Sequence, residues 1–360
     1  MVIGVIESTG NLVPGIALTG DGSPYCIDTI YPNLNRRGHL NSEISIQEHL
    51  PAEAVTDENL SFFRAIGVDA LSIYPPPQMD GPSEMVDYCL SMKRRTEANG
   101  LKLTSMGCRC PLEVSLGLSG RDRMIDTWCH LLRAMGKARI PIFGYNFKPI
   151  TIIRTEPQTG RGGAEYSSFS YDEYLRGRDP DEQALKIEED RMRENLQILL
   201  ERIVPVAEES GVRLALHPDD PPIAEPLEGY PRIVSSLEHY EQIFAMVPSP
   251  SNGMFFCQGC VTEMGLDVCE AIRKIGRWGK IVCVHFRNVR GNPKSFQEVF
   301  VDEGDVDMFK AMNAYREVGF NGPYMMDHTP QIPGDRKGRE GRAYAVGYIR
   351  ALIQAVYGAP

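Results

Sequence analysis

The chain has no long hydrophobic run: its apolar stretches are strand-length, far short of the roughly 20 residues that span a bilayer. It has no dominant run of lysine and arginine either, and its formal net charge is −10. Nucleic acids and anionic membranes are held by clustered cations, so neither is expected as a partner. The start, MVIGVIESTG, lacks the basic end and apolar stretch of a signal peptide, which leads to the expectation of a cytoplasmic location. Solenoid-period repeats and low-complexity tracts are missing as well. The nine cysteines have no framework spacing and are expected mostly as buried free thiols. Cys108 and Cys110, in GCRC, are read as structural. Cys257 and Cys260, in CQGC, have no second C-x-x-C with which to complete a four-thiolate zinc site. A redox role would want that pair at a helix start, whereas the strand-like run MFF leads straight into Cys257.

What is present is an alternation. With 360 residues, 42% of them hydrophobic, the chain can bury a large core. From about residue 44, short apolar runs read as strands: ISIQEHL, DALSIY, LKLTSM, PIFGYNF, RLALH, GMFFC, IVCVHF and PYMMD. Longer amphipathic stretches separate them, among them ENLSFFRAIG, DRMIDTWCHLLRAMGKA and DRMRENLQILLERIVPVAEESG, and several end in glycine, as helix C-termini prefer. Eight strands alternating with eight helices predict an α/β fold, a (β/α)₈ or TIM barrel spanning residues 44–360, with a doubly wound open sheet as the rival. Two segments stand outside this pattern. Residues 1–43, rich in Gly, Pro and Asn, read as an N-terminal extension covering a barrel end or a subunit contact. Residues 154–185 read as a long polar insertion after strand four, on the C-terminal face where barrel active sites are built.

The last four strands stop at residues that carry chemistry: His217, Cys257, His285 and Asp327, the last followed at once by His328. Strand tips converge at a barrel mouth, so these side chains are placed to meet around one ion. Two imidazoles, a thiolate and a carboxylate suit Mn²⁺, Fe²⁺ or Zn²⁺, and the thiolate argues against Mg²⁺ and Ca²⁺. Each residue alone has a plainer reading: a structural histidine, a core cysteine, a turn-capping aspartate. Their recurrence at four consecutive strand ends favours the metal site, and a closed structural zinc site is its non-catalytic alternative. In HPDDPP, Asp219 and Asp220 are candidates to orient a ligand imidazole, or simply cap a turn. Arg287, in HFRNVRG, and Arg154, in TIIRT, are candidate partners for a substrate carboxylate, with surface ion pairs as the alternative. Strand four ends in YNF, which puts Tyr145 or Asn146 at the mouth.

The stretches YNFKPITIIRT, LALHPDDPP, GYPRIVSS, FFCQGC, GKIVCVHFRNVRG, SFQEVFVDEGDVDMF, GFNGPYMMDHTPQ and GYIRALIQAV together resemble the mannonate dehydratase family, within the xylose-isomerase-like metal-dependent barrels. They cover most of residues 140–357. The resemblance implies a hydro-lyase that converts D-mannonate to 2-keto-3-deoxy-D-gluconate with Mn²⁺ or Fe²⁺, in a homodimer. It implies His217, Cys257, His285 and Asp327 as metal ligands and His328, beside Asp327, as the proton-transfer residue. The chain departs from the family pattern at SIYPPP, where a paired histidine is usual, and at TII, where an aspartate and a tryptophan follow YNF. The tyrosine that usually follows the DH motif falls on or near Lys337, so Lys337 and Tyr145 are read as helpers in proton transfer. A metal-dependent isomerase or epimerase of a related sugar or sugar acid is the alternative activity.

Overall fold

Eight of the apolar runs form parallel strands: β1 (Ser45–Pro51), β2 (Ala70–Tyr74), β3 (Lys102–Arg109), β4 (Ile142–Asn146), β5 (Arg213–Leu216), β6 (Asn252–Cys257), β7 (Ile281–His285) and β8 (Pro323–Met325). They hydrogen-bond in chain order, and β8 returns to β1, so the sheet closes. The expected (β/α)₈ barrel is therefore the fold, and the open sheet is excluded because neither β1 nor β8 is an edge. The computed structural model describes residues 17–18, 24–25, 44–75, 81–176, 178, 186–335 and 337–358.

The barrel helices are α1 (Asp57–Ile66), α2 (Pro82–Ala98), α3 (Arg121–Ala138), α4 (Glu189–Ser210), α5 (Leu237–Met246), α6 (Val268–Gly276), α7 (Met308–Glu317) and α8 (Arg339–Tyr357). Their boundaries follow local chemistry. Thr56, Ser236, Asp267 and Asp307 cap α1, α5, α6 and α7 by accepting a backbone N–H three residues on. Gly67 and Gly211 end α1 and α4 in the left-handed conformation that glycine adopts without a Cβ clash. The core lies between strands and helices: Phe143 and Tyr145 of β4, for instance, pack against Trp128 of α3. Among the described residues no helix is long and apolar enough to cross a membrane.

Residues 154–185 fold, in their described part, onto other loops. Ser168–Ser170 pairs with Ser295–Glu298, which pairs with Val289–Asn292, making a three-stranded antiparallel sheet. Phe169, Tyr174, Ile223, Leu227, Val289 and Phe296 form its own apolar cluster. The insertion is thus tied to the loops after β5 and β7, on the C-terminal side of the barrel. The chain divides into two units, 1–42 and 43–360. In the first, Ala17–Leu18 pairs antiparallel with Pro24–Tyr25, and the cover or subunit contact expected there lies outside the described residues.

Candidate active site

Strand periodicity aims the site. Side chains alternate across a strand, so Ile142, Gly144 and Asn146 share the face of β4 opposite Phe143 and Tyr145. That face looks into the barrel: a Cβ on Gly144 would stand 3.4 Å from the ring of Phe255 on β6. Two residues beyond Phe255 on the same inward row is Cys257, and the same step leads from Ala215 to His217, from Cys283 to His285 and from Met325 to Asp327. The four candidate ligands stand at or just past the tips of four neighbouring strands.

They meet. His217 Nε2 is 3.1 Å from His285 Nδ1, and His285 Nδ1 is 3.3 Å from Asp327 Oδ2. Ligand atoms of Cys257, His285 and Asp327 lie within 4.8 Å of one another, as do those of His217, Cys257 and Cys260. His217 Nδ1 is 2.7 Å from the Pro218 carbonyl, so an Nδ1–H donating there leaves the Nε2 lone pair facing the cluster. Asp327 sits at φ 63°, a left-handed conformation unusual outside glycine, which turns its carboxylate inward directly after β8. Burial would push the Cys257 thiol up, but the Cys260 thiol and the Arg287 guanidinium hold it well below its usual range, as a thiolate. Burial and the Cys257 thiolate push Cys260 up, so it stays a donor. This donor set fits a divalent transition metal.

Beside the cluster lies a buried charged group centred on Arg287, which is 2% exposed. Its Nη1 donates to Glu298 at 2.6 Å, and its Nη2 to Glu263 at 3.0 Å and to Asp220 at 3.1 Å. Its Nε approaches Asp327 at 3.2 Å and the Cys257 sulfur at 3.4 Å. Gly259 makes this approach possible, since a Cβ there would stand 2.4 Å from Arg287 Nε. Arg154 donates to Asp220 at 2.7 and 3.0 Å and also pairs with Glu298.

Several expectations change accordingly. Arg287 and Arg154 are not open to a substrate carboxylate, because protein carboxylates occupy their guanidinium groups. Neither Asp219 nor Asp220 orients His217, whose partner is the Pro218 carbonyl. Asp219 instead accepts from Val234 N at 2.9 Å, and Asp220 serves the two arginines. Tyr145 lines the cavity, but its ring is on the outward face, stacked on Phe143, and its hydroxyl has no partner among the described residues. Asn146 is the inward one of the pair. Lys337 is exposed, 3.3 Å from Glu58, and does not line the cavity. Cys257 does sit at a helix start, as the N-cap of Gln258–Glu263, because the strand ends and the helix begins within one residue. Cys108 and Cys110 are free thiols whose ionisation burial opposes, in keeping with structural roles.

His328 stands beside the cluster. Its Nδ1 is 2.7 Å from Glu298 Oε2 and its Nε2 3.5 Å from Asp327 Oδ1. Burial works against its charge, but the Asp327 and Glu298 carboxylates outweigh that and raise its pKa to about 9. The same cations, His328, Arg287 and Arg154, overcome burial at Glu298 and hold its carboxyl well below the usual range. Glu298 was not singled out from the sequence. A signal was there: in SFQE it shares the face of Phe296, so a charged residue occupies a buried position. His49, Arg109 and Lys148 were also missed. With His217, Asn146 and His328 they line a cavity of about 580 Å³, a size that suits a small ligand.

The sequence model of the D-mannonate dehydratase (UxuA) family matches residues 175–359. Mannonate dehydratase 2 of Halalkalibacterium halodurans is 32% identical over 303 residues, 74% of this chain and 86% of the relative. Mannonate dehydratase of Thermotoga petrophila is 30% identical over 312 residues, 75% and 86%. The crystal structure of mannonate dehydratase from Streptococcus suis serotype 2 superposes with TM-score 0.78 at 26% identity, covering 88% of this chain and 94% of that one. A D-psicose 3-epimerase from Clostridium cellulolyticum H10, at TM-score 0.58 and 15% identity, covering 87% and 99%, shares the fold alone. With a family match over more than half its length and a relative above 30% identity across most of it, the chain belongs to the D-mannonate dehydratase family.

Proposed function

We propose that this hydro-lyase removes water from D-mannonate to give 2-keto-3-deoxy-D-gluconate, with Mn²⁺ or Fe²⁺ held by His217, Cys257, His285 and Asp327. The observation that carries the reading is the convergence of those four inward side chains at the mouth of a cavity beside His328. A bound divalent ion supplies Lewis acidity that stabilises negative charge developing on the substrate. Cys260 and Arg287 favour the Cys257 thiolate, and His285, His328 and Arg287 favour the Asp327 carboxylate, which are the forms that ligate a cation.

Dehydration removes a proton from the carbon next to the carboxylate, the proton passing to a base in the site or to solvent water, and expels hydroxide from the next carbon. Hydroxide leaves poorly unless protonated. His328 is protonated at neutral pH, is held at Nδ1 by Glu298, and lines the cavity. It is placed to deliver the proton to the departing hydroxyl. Asn146, which faces the cavity, is assigned to a substrate hydroxyl. The test is anaerobic assay of the Mn²⁺- or Fe²⁺-loaded protein on D-mannonate, with the product identified. Formation of the 2-keto-3-deoxy acid supports the reading; inverted or isomerised sugar without loss of water would replace it with an epimerase or isomerase.

A further inference from the structure

The two arginines that the sequence offers for a substrate carboxylate are both consumed inside the protein, which leaves the anion of a sugar acid without an assigned partner. Among the described residues, one other buried lysine or arginine lines the cavity. Lys148 follows β4 by two residues, is 8% exposed, and lines the cavity together with His217 and Asn146. An ammonium has three N–H donors. Among the described residues the only hydrogen bond of Lys148 is a 3.4 Å contact to the backbone carbonyl of Asp220, and no carboxylate lies within ion-pair distance.

The nearest acid cannot fill that role. The Asp220 carboxylate is spent on Arg154 and Arg287, through contacts of 2.7, 3.0 and 3.1 Å. A desolvated ammonium without an anion is costly, and burial accordingly lowers its pKa. The same wall of the cavity carries Arg109 at the tip of β3, paired in register with Asn146 of β4. Arg109 is exposed and makes no ion pair among the described residues, so two cations, one at the tip of β3 and one just past β4, line the cavity together with the ligand cluster.

We infer that Lys148 is the anchor for the substrate carboxylate and sets the preference of this site for an anionic sugar over a neutral polyol. This rests on the sugar-acid reading above and adds the residue that recognises the acid. An anion arriving at Lys148 would complete its hydrogen bonding and lie beside His217, next to the ligand cluster.

The experiment compares the Mn²⁺-loaded wild type with Lys148→Met and Lys148→Arg, measuring metal content, kcat and KM for D-mannonate, and calorimetric binding of D-mannonate and of D-mannitol. Loss of a charge-assisted hydrogen bond predicts a KM and Kd for the acid about 10- to 100-fold higher in Lys148→Met. D-Mannitol binding and metal content should be unchanged, and Lys148→Arg should recover part of the affinity. Unaltered KM and Kd in Lys148→Met would overturn the assignment, as would loss of kcat at constant KM, which would make Lys148 a proton-transfer group. A wild type that turns over no sugar acid would instead sink the function proposed above, and the binding comparison separates the two failures.

Discussion

His328 Nδ1 lies 2.7 Å from Glu298 Oε2, joining a residue just past the last barrel strand to one in the hairpin that follows β7. The contact fixes the orientation of the imidazole and, with Asp327, keeps it protonated to about pH 9. If His328 donates the proton to the leaving hydroxyl, His328→Ala should keep its metal and lose about 10²- to 10⁴-fold in kcat. Elemental analysis beside steady-state kinetics checks both halves, and undiminished turnover would refute the role.

Replacing Glu298 with Gln removes a carboxylate that raises the His328 pKa. A proton donor is lost as pH rises through its pKa, so the alkaline limb of the kcat profile should move to lower pH in Glu298→Gln. An unmoved limb would mean that another group controls it.

The His328 charge also bears on stability in the metal-free protein. A histidine whose folded pKa is raised contributes stability that is fully present below its unfolded value of about 6.5 and lost as pH rises through its folded value. The advantage of the wild type over His328→Asn in urea melts of the metal-free protein should therefore shrink between about pH 6.5 and about 9. An advantage that grew with pH would contradict the ion pairs described.

Arg287 divides stability from substrate binding. Arg287→Met removes the cation that Asp220, Glu263 and Glu298 share in the interior, and removing one partner of such a buried pair costs about 3–5 kcal/mol. The variant should unfold at markedly lower denaturant and bind metal poorly, because Cys257 loses a cation that favours its thiolate. A stable, metal-replete variant with only a raised KM would restore Arg287 as a substrate ligand.

Lys337 provides the contrasting case. Its exposed pairing with Glu58 contributes little, because water screens such pairs, and Lys337→Ala should leave kcat/KM within about twofold of wild type. A large loss of turnover would show that this lysine reaches the substrate after all.

The eight strands, the eight helices and the four strand-end ligand candidates were legible in the sequence, because period-two and period-3.6 patterns are local properties of the chain. The sequence also placed His328 beside Asp327, since neighbours in the chain stay neighbours. It could not say which polar groups neutralise one another across the barrel. Arg287 and Arg154 look like substrate ligands until Asp220, Glu263 and Glu298, drawn from a loop, a helix and a hairpin strand, are seen to hold them. Lys148 looks unremarkable in YNFKP until those pairings leave it, among the described residues, a buried cation in the cavity with no acid at ion-pair distance. Ion pairing depends on through-space distance and burial, and only closure of the barrel sets either one.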